Sequence, residues 1–519
     1  MSSLNSLSFY HGTIDTRECR EILPDVGDFL VRNHIKEMDK DAAATAPACV
    51  LTVAITPDQA STAAKLIPSD YSFKHQCTTR LKSYAVNGTE GSYSVQGTTD
   101  TFPTIQALCE GLVESKKTLP GGGVLQKAVD RKAWQLLLNE IEFPTPEVML
   151  GKGSYGKVVK AKLIRKIGDP IDVAVKNTNE GADETTFSEM YTEARAMRRL
   201  QHQHIIRLEG VVVEKLPILL VIEYFEGSCL LSALQKKKVT NVMRFPVICG
   251  IMYGLDYMHS NNYIHRDIAA RNIMVSADCR SIKIIDFGLA KHGLTFNLSA
   301  TQKIPVKWLA PEVLKTWTFS TKSDVWAFAI TSWEVYHDGA EPYSNMKNVN
   351  VKKTHTRKKG KEAAEALNIT ENVEFIPAGF EALFDKMLCS NVRDRPELTA
   401  IRTEIEKKII PLLSKPVGEE VRLLLEKRYD SKFSAPQTSS NASNSEMEKN
   451  GGKGGVPKSP IPPVKPPQQK KNLKTMTRRG KGKKPSASEN PDEKSSPRSK
   501  DDDKKKAVKI STVRRKNRA

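Results

Sequence analysis

His265-Arg266-Asp267-Ile268-Ala269-Ala270-Arg271-Asn272, with Asp286-Phe287-Gly288 beginning fourteen residues after its asparagine, is the stretch on which the reading of this chain turns. A lone His-Arg-Asp would mean little. Upstream lies Gly151-Lys152-Gly153-Ser154-Tyr155-Gly156-Lys157-Val158, a strand-turn-strand whose glycines let backbone N–H groups approach a phosphate closely. Val173-Ala174-Val175-Lys176 follows at the distance of a third strand, and Glu193 sits on a helical stretch from Tyr191 to Leu200. Downstream come Ala310-Pro311-Glu312, then Ser323-Asp324-Val325-Trp326, which reads as the start of a buried helix, then Arg395-Pro396, whose arginine is a candidate buried partner for Glu312. For Lys176 or Glu193 alone a solvated surface role is the better reading. The order and spacing of the whole set reverse it.

Together these segments resemble a protein kinase domain over residues 143–413. The resemblance implies a bilobal fold, a small five-stranded sheet plus one helix over a larger helical lobe, with ATP in the cleft. Moving the γ-phosphoryl of ATP to a hydroxyl requires a carboxylate beside the incoming oxygen, Mg²⁺ bridging the β- and γ-phosphates, and a cradle for the nucleotide. The family pattern assigns Asp267 as the base, Asn272 and Asp286 as the metal ligands, Lys176 to the α- and β-phosphates, and Glu193 to an ion pair holding Lys176. It lines the nucleotide with Leu150, Gly151, Gly153, Gly156, Val158, Ala174, Lys176, Glu223 and Phe225. Glu223 to Phe225 would be the hinge and Ile222 the guard of the back pocket.

The acceptor hydroxyl is also addressed by the loop. Serine/threonine kinases usually carry a lysine two residues after the base, where this chain has Ala269. The cation stands instead at Arg271, which with Pro305-Val306-Lys307-Trp308 resembles the tyrosine-kinase pattern and implies a platform for a phenol ring. The segment from Asp286 to Glu312 contains no tyrosine, and Phe296 stands about where such kinases autophosphorylate. Phosphate there normally orders the loop against the arginine before the base, here Arg266. Three readings stay open: a loop ordered without phosphate, phosphorylation of Thr295, Ser299 or Thr301 by another kinase, or a quiet enzyme.

Phe9-Tyr10-His11-Gly12 and Gly27-Asp28-Phe29-Leu30-Val31-Arg32, with a helix start at Phe102-Pro103-Thr104-Ile105-Gln106-Ala107-Leu108, resemble a Src-homology-2 (SH2) domain. Arg32 on a buried strand offers the rigid guanidinium fork that suits a phosphate dianion, so the resemblance implies phosphotyrosine as its partner. Departures are Thr16 where the first helix usually has an arginine, Asn33-His34 after Arg32, Ser83 in place of a histidine on the expected fourth strand, and extra residues from Pro57 to Thr79. The competing reading is a structural domain that braces the kinase.

An SH2 module joined to a tyrosine kinase resembles the Fes/Fer family of non-receptor tyrosine kinases over about residues 9–413. The resemblance does not extend to that family's N-terminal coiled, membrane-bending region. In the family the SH2 domain docks on the small lobe and favours the active kinase. The expected fold class is α+β: SH2 domain 9–126, a central antiparallel sheet flanked by two helices; linker 127–142; kinase 143–413; tail helix and linker 414–448, with the helix at about 418–429; disordered basic tail 449–519.

Charge is concentrated in that tail. From Lys449 to Ala519 there are 23 Lys and Arg against 6 Asp and Glu, which accounts for +17 of the +20 on all 519 residues. Rich in Pro, Ser and Gly and nearly free of aromatics, it cannot bury enough apolar surface to fold. Its readings are a solubilising appendage, a contact with an anionic membrane surface, or nuclear import and nonspecific RNA binding; the absence of stacking aromatics weakens the last. Pro460-Ile461-Pro462-Pro463-Val464-Lys465 has the form of an SH3 ligand. Eight scattered cysteines point to reduced thiols, no run approaches a membrane span, and Met1-Ser2 is neither a secretory signal nor a myristoylation site. The expectation is a cytoplasmic tyrosine kinase, peripheral at the inner face of the plasma membrane or nuclear, with protein substrates and phosphotyrosine partners. The alternatives are a catalytically weak scaffold and a dual-specificity kinase.

Overall fold

The computed structural model describes residues 2–33, 49–56, 79–152, 156–165, 167–177, 184–214, 218–297, 305–356 and 367–426. Gly153, His34, Ser299, Thr301, the extra residues up to 78, and the whole tail with Pro460 to Lys465 lie outside them. Among the described residues no helix is long and apolar enough to cross a membrane, and no cysteines are bridged.

The N-terminal module is built on strands β1 (Asp28–Arg32), β2 (Cys49–Ile55), β3 (Arg80–Thr89), β4 (Ser92–Val95) and β5 (Lys127–Ala128), in the order β4-β3-β2-β1-β5. All pairs are antiparallel except β1 with β5. Both β1 and β2 are buried along their whole length, so each face of the sheet must be covered. Alternation decides by what. Phe29, Val31, Leu51 and Val53 pack on helix α2 (Ile105–Ser115), whose start is capped by the Thr104 hydroxyl accepting from Ala107 N. Leu30 and Ala54 face helix α1 (Thr16–Ile22), capped in the same way by Asp15. The opening segment contributes only the Tyr10–Val31 bridge, so the strand expected as the fourth is third in chain order.

The small lobe holds the five expected strands, β8 (Met149–Lys152), β9 (Lys157–Leu163), β10 (Ile171–Asn177), β11 (Leu208–Val212) and β12 (Leu219–Glu223), and helix α3 (Glu184–Arg199). The segment read as a linker adds two more: β6 (Gln135–Leu136) runs parallel to β11, and β7 (Ile141–Glu142) antiparallel to β9. The sheet runs β6-β11-β12-β10-β9-β7, with β8 on β9. Leu136 and Ile141 join Val159, Val173, Val175 and Val221 in its core, which is why these short strands are held. Residues 127–142 are therefore not a free spacer, since β5 completes one sheet while β6 and β7 edge the other.

The two modules share a core. Ile14, Cys19, Ile22 and Leu23 pack with Met190, Tyr191, Ala194 and Val213. Thr13 N donates to Val213 O at 2.6 Å, and a Cβ on Gly12, at φ 62°, would meet that same oxygen at 2.2 Å. Around the apolar patch, Arg195 and Arg198 reach Glu18 at 2.8 and 3.0 Å, and Arg198 and Arg199 each reach Glu21 at 2.6 Å.

The large lobe is organised by α4 (Asn241–Ser260) and α5 (Thr321–Tyr336), both apolar on nearly all sides and buried. The terminal helix, described over Lys415–Glu426, begins three residues earlier than expected, and the last residues of the expected range, 427–429, lie outside the described ones; its Val417, Val421 and Leu424 share one face, which packs into this core.

Candidate active site

Arg266 has φ 71°, which turns its N–H and that of His265 out of any ladder. Both are captured by the Asp324 carboxylate near the start of α5, at 2.9 and 2.7 Å, with His259 Nε2 at 3.1 Å. So anchored, the loop presents Asp267. Its carboxylate accepts from Arg271 and, at 2.7 Å, from Asn272 Nδ2, which also donates to the Asp267 carbonyl at 2.8 Å. Asp286, at φ 64°, follows a strand (Ile282–Ile284) paired with the one after the loop (Ile273–Val275). Phe287 behind it is fully buried against the edge of His265.

Across the cleft, Lys176 on β10 lies 2.8 Å from both oxygens of Glu193 on α3 and 3.9 Å from Asp286. Burial opposes an ammonium there. The Glu193 and Asp286 carboxylates more than offset it, and Lys176 is held above its usual pKa. The structure thus brings together Asp267, Arg271, Asn272, Asp286, Lys176 and Glu193.

Leu150 and Gly151 lie on β8, where Gly151 pairs with Val158, and Val158 pairs in turn with Lys176. Leu150 is exposed, Gly156 and Ala174 are buried, and Ala174 pairs with Ile222. The Glu223 side chain is turned to structural use: it accepts from Lys283 Nζ at 2.7 Å and from Arg207 N at 2.8 Å.

In the activation segment, Thr295–Asn297 pairs antiparallel with Thr318–Ser320, setting Phe296 opposite Phe319. The Arg266 guanidinium lies 4.5 Å from the Phe296 ring and 5.3 Å from that of Phe319, and donates to Leu289 O. Lys291 is 5.5 Å from the Phe296 ring. Burial, then Arg266 and Arg17, lower its pKa to about 8.

Arg32 is buried on β1. It donates to Thr52 Oγ1 at 3.0 Å, the Ile14 carbonyl at 3.4 Å and Ser83 Oγ at 3.5 Å, so Ser83 stands beside it. Arg395 meets Glu312 with both ends of its fork, at 2.7 and 3.0 Å. Two carboxylates had no site role in the sequence reading, Asp324 and Glu334. Their signal was an acidic residue on an otherwise apolar helix, which must find buried donors.

The family model for protein tyrosine and serine/threonine kinases matches residues 145–405. Over 405 residues the chain is 30% identical to the "tyrosine-protein kinase transforming protein Fps" of avian sarcoma virus (strain PRCII), covering 77% of this chain and 67% of that protein. Over 348 residues it is 29% identical to "Fer-related kinase 1" of Caenorhabditis elegans, covering 67% and 81%. The "tyrosine-protein kinase Fer" of Rattus norvegicus is 30% identical over 350 residues, 66% of this chain but 37% of that longer protein. With a closed lysine–glutamate pair in the small lobe and these relatives, the chain belongs to the protein kinase family, as a Fes/Fer-like non-receptor tyrosine kinase that phosphorylates protein tyrosine from ATP.

Proposed function

We propose that Asp267 orients the acceptor tyrosine and takes its phenolic proton as the oxygen bonds to the γ-phosphorus and the bond to ADP breaks. Lys176, held by Glu193, would steady the α- and β-phosphates, while Leu150, Gly151, Gly153, Gly156, Val158, Ala174 and the Glu223–Phe225 backbone enclose the nucleotide. The observation that carries this reading is that Lys176 reaches Glu193 at 2.8 Å and Asp286 at 3.9 Å, while Asn272 reaches Asp267 at 2.7 Å and its backbone carbonyl accepts from the backbone N–H of Ile285, the residue before Asp286, at 2.9 Å.

Mg²⁺ fits the donors. Asn272 gives its amide N–H groups to Asp267, which leaves its side-chain oxygen for a hard cation that the Asp286 carboxylate would also hold. Bound there, it would neutralise charge developing on the β- and γ-phosphates.

The loop reading we favour is order without phosphate. Stacking on Phe296 and Phe319 gives Arg266 the partner that a phosphotyrosine supplies elsewhere. Phosphatase-treated enzyme should keep its activity on a tyrosine polymer, and Phe296→Ala should lower kcat by about tenfold, a loss between those of an exposed and a desolvated cation–π contact. A phosphatase-silenced wild type would reject this in favour of phosphorylation at Thr295, Ser299 or Thr301.

Residues 9–126 are proposed as an SH2 domain that reads phosphotyrosine through Arg32, in a cytoplasmic protein whose tail, residues 449–519, contacts an anionic membrane surface. The support is a sheet covered on both faces by helices, with a buried arginine ringed by the Thr52 and Ser83 hydroxyls. In a polarisation assay Arg32→Lys should weaken phosphotyrosine-peptide binding at least about tenfold, because an ammonium cannot offer the two-pronged fork. Equal affinity would leave the module a brace for α3.

A further inference from the structure

Glu334, on α5, is remote in sequence from both loops that form the site, and it is 2% exposed. A single oxygen of its carboxylate, Oε2, accepts two hydrogen bonds of 3.0 Å. One comes from the backbone N–H of Ala270 and the other from the indole N–H of Trp308. Ala270 belongs to the loop that carries Asp267. Trp308 ends the Pro305–Trp308 platform. Arg271 makes the second connection between the same two segments, pairing with Asp267 while its guanidinium lies 4.6 Å from the Trp308 ring. Asp267, Arg271, Trp308, Glu334 and Ala270 therefore close a circuit that ties the base to the acceptor platform by two routes.

Packing alone does not explain this carboxylate. The neighbouring α5 residues Ile330 and Val335 are apolar and fully buried, and a carboxylate in their place costs far more to remove from water. Burial raises the Glu334 pKa to about 7, against the opposing pull of the Trp308 and Ala270 N–H groups and Arg271, with Asp267 adding to the rise. The charged groups facing it are thus Arg271 and Asp267, both members of the circuit. An acceptor oxygen shared by two segments is a means of holding them at one separation, and phosphoryl transfer is sensitive to displacements of about 1 Å.

We propose that Glu334 is a positioning residue for transfer, setting the placement of Asp267 relative to the acceptor tyrosine by tying the catalytic loop to the Trp308 platform. The inference rests on the reading of Asp267 as the base.

A double-mutant cycle with Glu334→Gln and Trp308→Phe tests it, read as kcat/KM for a tyrosine peptide and as KM for ATP. Phenylalanine keeps a ring beneath Arg271 but loses the N–H, and glutamine keeps the shape but loses the charge. Each single variant is expected to lower peptide kcat/KM by about tenfold, the size of one hydrogen bond to a charged group, with KM for ATP within about twofold of wild type. The double variant should be no worse than the poorer single, because both changes cut the same link. A double variant about a hundredfold down, the product of independent losses, would overturn the proposal. So would singles with wild-type peptide kcat/KM, or a rise in KM for ATP that matches the peptide loss and marks general loosening. Should Glu334→Gln not fold, Trp308→Phe alone decides by the same two readouts. Asp267→Asn in the same assay reads the base separately, since retained activity there would reject that assignment whatever the cycle gives.

Discussion

An Asp267→Asn enzyme is expected to transfer phosphate from ATP to a tyrosine polymer about 10²- to 10⁴-fold more slowly than wild type, the usual cost of losing a positioned base. The amide keeps the size of the carboxylate and still accepts one hydrogen bond, so Arg271 or Asn272 retains a partner, but it cannot take the phenolic proton. The nucleotide contacts proposed above lie on the other side of the cleft, around the Lys176–Glu193 pair, so KM for ATP should stay within about twofold of wild type. Initial rates at saturating ATP, with ATP binding measured in parallel, check both statements. More than a tenth of wild-type activity would remove Asp267 from its role and return weight to a scaffold.

The largest loss of stability is expected from Arg395→Ala. This side chain has no exposed surface, yet it carries a full charge matched by both Glu312 oxygens at 2.7 and 3.0 Å. Two further N–H groups go to the Lys322 carbonyl at 2.7 Å and the Cys389 carbonyl at 3.0 Å, and the guanidinium lies 5.1 Å from the Trp326 ring. Truncation leaves Glu312 and two carbonyls without their donor and opens a void, a combination that costs about 3–5 kcal/mol. Urea unfolding followed by tryptophan fluorescence should show it as a lower midpoint with little change in slope. Arg395→Lys should recover less than half of the loss, because one ammonium cannot serve a carboxylate and two carbonyls set around a planar fork. Activity should fall with stability here, since Glu312 closes the activation segment, whereas Asp267→Asn should separate the two. A loss below about 1 kcal/mol would show the pair to be no more than a surface-type bridge.

Much of the site was legible because kinase chemistry places its groups in short ordered strings. Asp267, Arg271 and Asn272 lie within one turn-rich stretch, and their mutual hydrogen bonds follow from that closeness. The pairing of Lys176 with Glu193 and of Arg395 with Glu312 was readable from the motifs that contain them, although each spans a gap in sequence, 17 and 83 residues. The N-terminal sheet was legible from an apolar strand ending in arginine.

Other features carried no local signal. Strands of two residues, such as Gln135–Leu136 and Ile141–Glu142, are too short to show a period, and only the sheet edges waiting for them make them strands. Glu223 was read as part of the hinge lining the nucleotide, and nothing local showed that its side chain pairs with Lys283 from a strand of the large lobe. Phe296 could be read only as a missing tyrosine until the Thr295–Asn297 and Thr318–Ser320 pairing set it beside Arg266.

By itself the sequence determined the inventory and order of chemical groups, the family and the two-module arrangement, because these are written in residue type and spacing along one chain. Only the tertiary structure decided which carboxylates support the catalytic loop, how the first module and its linker merge into the small lobe, and what faces Arg266 in a loop without tyrosine. Those are matters of long-range packing, in which a buried charge or an open sheet edge takes whichever partner the fold brings within about 3 Å.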